Sequence, residues 1–214
     1  MRAIVIGGTG ATGMPLVSQL LADKDITAVV SLVRNPSREP HEKLNEVKVD
    51  FENLQDYADI IYGDLAFSCL GTTLKDAGGK KEQWHIDYDY VHAFAQIAKG
   101  NEVPTFVLLS AQGADANAFF FYSKLKGKLE DAIKKLDFEH LVIARPSMLI
   151  RPNSKRMGER IGVVMLNFFN KLDLFKKQQP LHVEKVAYAL RIAGKSVLEV
   201  VEIIGVKDIL ALNK

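Results

Sequence analysis

Apolar and polar positions along the chain fall into alternating blocks. Ala3–Ile6 is a short, continuously apolar run, the pattern of a parallel strand buried on both faces. Met14, Val17, Leu20 and Leu21 follow at helical spacing, with Pro15 tolerable only in a first turn. Ile26–Val33 reads as a second strand, Pro36–Pro40 as a loop, Glu46–Asp50 as a third strand and Ala66–Leu70 as a fourth. Trp84–Lys99 is helical and stops at Gly100. Thr105–Ser110 is a fifth strand and His140–Ala144 a sixth. Between them Phe119–Leu136 is a long helix with Leu125, Leu129, Ile133 and Leu136 on one face. Beyond Pro152 the texture changes. Asn153–Arg160 is polar and basic, Ile161–Phe169 and Val183–Ile192 look helical, Lys171–Pro180 is polar, and Glu199–Ile204 forms a late strand.

This β-α-β-α order implies an α/β protein with a doubly wound parallel sheet. At 214 residues one domain is expected, 1–214, with a nucleotide-binding core at 1–152. Residues 153–214 are too few to fold alone. They are expected as a small cap on the substrate side, where ligands bind at the carboxyl edge of such sheets. No run approaches the length of a membrane span. The charge balance of +2 gives no argument for nucleic acid. A single cysteine, Cys69, and no visible export signal lead to the expectation of a cytoplasmic location.

The first strand runs into Gly7-Gly8-Thr9-Gly10-Ala11-Thr12-Gly13. This stretch satisfies both G-x-x-G-x-x-G and G-x-G-x-x-G between a strand and a helix, the setting of a dinucleotide-binding turn. One glycine makes the turn, one lets the backbone approach a pyrophosphate, and one lets helix and strand pack closely. The helix N-terminus then favours the phosphate charge. An acidic residue ending the second strand would accept from the ribose of NAD. Arg34 stands there instead, 21 positions after Gly13, and an arginine pairs with the 2′-phosphate of NADP. The expectation is therefore NADP(H) over NAD(H), with Arg38 in support. Asp50, at the end of the third strand, is counted with the cofactor-binding residues.

Tyr122 and Lys126 stand four apart at the start of the long helix, hence on one face, and Ser110 ends the fifth strand. Free tyrosine, with a pKa of about 10, is a poor base at neutral pH. A lysine cation beside it favours the phenolate. In this reading Tyr122 is the acid/base, Lys126 orients the ribose and tunes Tyr122, and Ser110 polarises a carbonyl.

The glycine loop, Ser110, Tyr122 and Lys126 together resemble the short-chain dehydrogenase/reductase superfamily. Phe67–Thr73, Ile86–Val91, Leu108–Ala114 and Ala144-Arg145-Pro146 look like its atypical branch, which includes the Tat-interacting-protein-like oxidoreductases. The resemblance implies a Rossmann-type fold holding NADP(H). It puts Cys69, Leu70, Gly71 and Thr72 beside the cofactor's ribose, and Pro146, Ser147 and Met148 near the nicotinamide. Two positions depart from the superfamily pattern: Gly71 follows Cys69-Leu70 where many members have Asn-Ala-Gly, and Asp87 replaces the asparagine of a catalytic tetrad.

The expected function is an NADP(H)-dependent oxidoreductase acting on a small carbonyl or alcohol. The alternative is a cofactor-bound sensor or protein-interaction module without turnover, motivated by Asp87. Cys69 reads as an inert core thiol. His85 and His92 lack companions at metal-site spacing, so no metal is expected. Lys155, Arg156 and Arg160 read as solvated charges flanking the cleft.

Overall fold

The computed structural model describes residues 1–36, 39–150, 179–196 and 199–213. The strands are β1 (Arg2–Ile6), β2 (Ala28–Val33), β3 (Leu44–Lys48), β4 (Leu65–Ser68), β5 (Thr105–Leu109), β6 (His140–Ala144), β7 (Leu149–Ile150), β8 (Leu181–His182) and β9 (Val201–Ile204). The helices are α1 (Gly13–Ala22), α2 (Leu74–Ala77), α3 (Lys80–Trp84), α4 (Tyr90–Gly100), α5 (Phe121–Lys134), α6 (Val183–Lys195) and α7 (Val206–Leu212). Seven strands form one sheet in the order β3-β2-β1-β4-β5-β6-β9, every pair parallel, while β7 and β8 form a small separate pair.

The period-2 alternation of strand side chains explains the two layers. Ile4, Ile6, Ala66, Phe106, Leu108, Leu141 and Ile143 face a core shared with Phe94 of α4 and with Leu129 and Ile133 of α5. Ala3, Val5, Phe67, Val107, Val142 and Ala144 face the opposite core, with Leu16 and Leu20 of α1, Leu190 of α6 and Ile209 of α7. Phe67, Phe94 and Phe106 have no exposed surface. Each such burial stabilises the fold by about 2–3 kcal/mol. This is a Rossmann-type doubly wound sheet. Its C-terminal part starts at the β7–β8 pair and returns to the sheet, where α6 lies along α1 and β9 pairs with β6.

Within the described residues the expected strands and helices are present with shifted ends. Asp50, expected to end the third strand, instead caps a 3-10 segment over Phe51–Ile60, accepting from the Glu52 N–H at 3.0 Å. The helix expected over Trp84–Lys99 is α3 and α4 joined through a π-helical turn, His85–Asp89. That extra residue per turn rotates Asp87 into the interior, where it is fully buried. Arg38, Asn153–Arg160, Ile161–Phe169 and most of Lys171–Pro180 lie outside the described residues.

Candidate functional site

The strand order reverses between β1 and β4, because the chain runs outward through β2 and β3 before crossing to β4. Open α/β sheets form a crevice at that point, beyond the carboxyl ends of the strands. A cleft of about 620 Å³ lies there.

One wall is the glycine loop. Gly7, Thr9, Gly10, Ala11 and Thr12 line it. Gly7 has φ +74°, and a Cβ there would stand 2.5 Å from the backbone of Cys69 and Leu70. A Cβ on Gly13 would stand 2.0 Å from the Gly7 carbonyl oxygen. Both glycines are therefore demanded by the approach of β1, α1 and β4. Gly8 packs against Ser31, where an added Cβ would come within 2.4 Å of the hydroxyl. Neither Gly8 nor Gly13 lines the cleft. Thr12 caps α1 without a side-chain capping bond, and its Oγ1 is buried with no hydrogen-bond partner. An unpartnered hydroxyl beside a helix N-terminus is suited to a phosphate oxygen. The small-residue loop and this hydroxyl fit a dinucleotide pyrophosphate.

The floor and far wall carry the reaction-centre candidates. Cys69, Leu70, Gly71, Thr72 and Thr73 follow β4 and line the cleft, as do Ser110, Tyr122 and Lys126. Lys126 is buried, with Nζ 5.8 Å from the Tyr122 ring centre and 3.8 Å from Asp87 Oδ2. Asp87 Oδ1 accepts the Thr72 N–H at 2.7 Å, so this carboxylate pins the loop after β4. Burial raises the pKa of Asp87, opposed by the Lys126 charge and the Thr72 N–H. Burial also pushes the Cys69 thiol up to about 12, so it is a protonated, unreactive thiol.

Ser110 has a partner that spacing alone did not reveal. Its Oγ donates to Glu130 Oε1 at 2.5 Å, and Glu130 is buried on α5. Arg145, just after β6, closes a fork on the same carboxylate, with Nε 3.0 Å from Oε1 and Nη2 2.5 Å from Oε2. The hydrogen bonds to Glu130 raise the pKa of Arg145 further. Glu130 lies four residues after Lys126, on the face of α5 toward the sheet. That i, i+4 position was its only sequence signal.

Four expected cofactor residues stand at or beyond the rim. Arg34 lines the cleft and is exposed. Asp50 is outside the lining, engaged with Glu52 and Asn53. Pro146 and Met148 use their carbonyls to receive the N–H groups of Gln112 and Leu181, and the neighbouring Leu149 is the residue that lines the cleft. Phe51, which the sequence did not single out, lines it opposite.

A family model described as NAD(P)H-binding matches residues 7–165. Protein HTATIP2 of Rattus norvegicus is 35% identical over 150 residues, covering 68% of this chain and 62% of the rat protein. The mitochondrial protein FMP52 of Meyerozyma guilliermondii is 37% identical over 154 residues, covering 70% of this chain and 66% of that protein. The chain thus spans a little under two thirds of these relatives. Among solved structures, MoeE5 in complex with UDP-glucose and NAD superposes with a TM-score of 0.75 at 15% identity, covering 96% of this chain and 76% of that one. A UDP-glucose 4-epimerase from Thermotoga maritima superposes with a TM-score of 0.73 at 15% identity, with the same coverage.

Two expectations are corrected. NADP(H) over NAD(H), read from Arg34, is overturned by the solved neighbours, whose complexes hold NAD. The physical reason lies around Arg34. Arg34 is exposed at the cleft rim, where solvent and salt screen its charge, so a cation at that position does not by itself select a 2′-phosphate. The cytoplasmic location is overturned by the fungal FMP52 relatives, which are mitochondrial proteins. One buried cysteine speaks only for a reducing environment, which is not unique to the cytosol. Among the described residues no helix is long and apolar enough to cross a membrane.

Proposed function

The chain belongs to the NAD(P)H-binding family, and from that premise we propose that it is an oxidoreductase using NAD(H) on a small alcohol or carbonyl compound. The observation that carries this reading is the meeting of glycine loop, Ser110, Tyr122 and Lys126 in one cleft. The bound dinucleotide supplies the hydride acceptor or donor. The residues of the chain manage the accompanying proton and the orientation. Tyr122 takes the hydroxyl proton when an alcohol is oxidised and returns it when a carbonyl is reduced. The Lys126 ammonium is buried beside this ring, with Nζ 5.8 Å from its centre, where it can orient the bound dinucleotide's ribose. Asp87 holds Lys126 from behind and keeps the loop after β4 closed on the cleft.

A fluorescence titration tests the cofactor assignment. NADH is expected to bind more tightly than NADPH, and a tenfold preference for NADPH would defeat it. For the chemistry, Tyr122→Phe is expected to bind NADH as the parent does and to lose at least about a hundredfold in turnover. Full turnover in that variant removes Tyr122 from the mechanism.

A second reading has its own support. Asp87 stands in place of the tetrad asparagine with a raised pKa, and the hydroxyl proton of Ser110 is already engaged. Both suit a dinucleotide-bound sensor without turnover. Substrate-dependent loss of NADH absorbance, abolished by Lys126→Ala, decides against it.

A further inference from the structure

Ser110 enters the cleft with its one proton spent. A serine hydroxyl carries one donor and two acceptor sites, and an ionised carboxylate carries acceptors alone. Glu130 is held in an ion pair by Arg145, so the 2.5 Å contact between Ser110 and Glu130 runs from the serine to the carboxylate. What Ser110 turns toward the cleft is therefore a pair of lone pairs. A bare carbonyl oxygen placed there meets repulsion. It is accepted only if the serine proton swings off Glu130, which leaves that buried carboxylate oxygen with the guanidinium Nε at 3.0 Å as its remaining partner. Tyr122 remains as the group that can donate to, or accept from, the reacting oxygen.

We propose that Glu130 and Arg145 are positioning residues that fix Ser110 as a hydrogen-bond acceptor, so that the site takes a compound with a hydroxyl group beside its reacting carbonyl or alcohol carbon. The reacting oxygen faces Tyr122 and the neighbouring hydroxyl donates to Ser110. The substrate class is an α-hydroxy carbonyl compound or the corresponding vicinal diol. This deepens the proposed function and rests on the cleft being an oxidoreductase site.

The network is built for this. Glu130 and Ser110 are both at or below 5% exposure, and Arg145 is anchored by its own N–H to the Ile204 carbonyl at 2.8 Å. Glu130 is fixed by its place on the buried face of α5, and the Arg145 guanidinium, about a third exposed, reaches it from the end of β6.

Three probes isolate the donor. α-Hydroxyacetophenone, α-methoxyacetophenone and acetophenone share a ring and a ketone. The first alone has a hydroxyl proton to give. Their dissociation constants are measured by ligand-detected NMR, on the protein alone and loaded with ADP-ribose, which cannot exchange hydride. The hydroxy compound is expected to bind about tenfold more tightly than either of the others, the value of one hydrogen bond to a committed acceptor. The preference should vanish in Ser110→Ala. It should also vanish in Glu130→Leu/Arg145→Leu, which removes both charges together and frees the serine to rotate. Equal affinity for the three probes, failure of all three to bind, or a preference surviving in Ser110→Ala overturns the proposal. NADH titration of the same samples separates the two readings: absent NADH binding defeats the proposed function, while the probe preference without dinucleotide still decides the role of Ser110.

Discussion

The two walls of the cleft are made of different materials. The wall of β1 and α1 is backbone and small side chains: Gly7, Thr9, Gly10, Ala11 and Thr12, with no charge among them. The opposite wall is built on buried charge. Four charged residues are buried among the described residues, and three of them, Asp87, Lys126 and Glu130, stand behind Tyr122 and Ser110. The fourth, Asp23, is paired with Arg191 and Lys195, which tie α1 to α6. A surface made of N–H groups and missing side chains can cradle a ligand of fixed, generic shape. A surface made of desolvated ions can hold a proton at one atom and refuse it at another. The first suits a dinucleotide, the second suits chemistry.

The sharpest way to break the first wall is to add one carbon. Gly7→Ala places a Cβ 2.5 Å from the backbone of Cys69 on a residue with φ +74°. Left-handed strain and overpacking together should cost about 4 kcal/mol. Urea unfolding should show that loss, with NADH binding gone in whatever fraction stays folded. A variant that keeps its stability would mean that the backbone has room to yield, and that the wall is not defined by its missing side chains.

The second wall breaks by unpairing. Arg145→Ala leaves Glu130, at 1% exposure, with its charge facing Ser110 alone. Stranding one member of a buried pair costs about 3 kcal/mol. The apolar double variant Glu130→Leu/Arg145→Leu should recover most of that, because no orphan charge remains. If Arg145→Ala and the double variant lose equally, the packing volume of the pair matters more than its charge.

The walls also differ in how far the sequence revealed them. The glycine wall was legible because its chemistry is local. Gly7, Gly10 and Gly13 lie within one turn, and their spacing carries the geometry. The strands β1, β2, β5 and β6 were legible for a similar reason, since burial on both faces leaves continuous apolar runs. Ser110, Tyr122 and Lys126 were found by position at the sheet edge, and they do share the cleft. The charges behind them were not. Glu130 carried no signal of its own, because its partners Ser110 and Arg145 come from two other elements. Asp87 read as a departure from a motif, because the π turn that rotates it inward leaves no period in the sequence. The 3-10 segment Phe51–Ile60 lacked a helical signal for the same reason: its backbone is interrupted at Asn53 and Tyr57.

A third charged group, outside both walls, sharpens the contrast through pH. His85 bridges Asp89 at 2.8 Å and Glu52 at 3.0 Å, and Tyr90 donates to the same Glu52. These side chains are about half exposed, unlike Glu130. The hydrogen bond to Asp89, then that to Glu52, raises the pKa of His85 above its ordinary 6.5. Bonds from Tyr90 and His85 lower Glu52 below its ordinary 4.5. A raised histidine contributes stability that is complete below 6.5 and is lost as pH rises through its folded value. A lowered carboxylate contributes stability that is complete above 4.5 and is lost as pH falls through its folded value. Both contributions are therefore complete only between 4.5 and 6.5. The stability difference between the parent and His85→Ala, followed by urea unfolding across pH, should peak in that window and shrink toward pH 8.5. Solvent screening makes this the smallest effect of the three. Added salt should flatten it, whereas the loss in Arg145→Ala should be nearly insensitive to salt because Glu130 is shielded from it. A pH profile that is flat, or a salt response equal in the two variants, would erase the distinction between the exposed pair and the buried one.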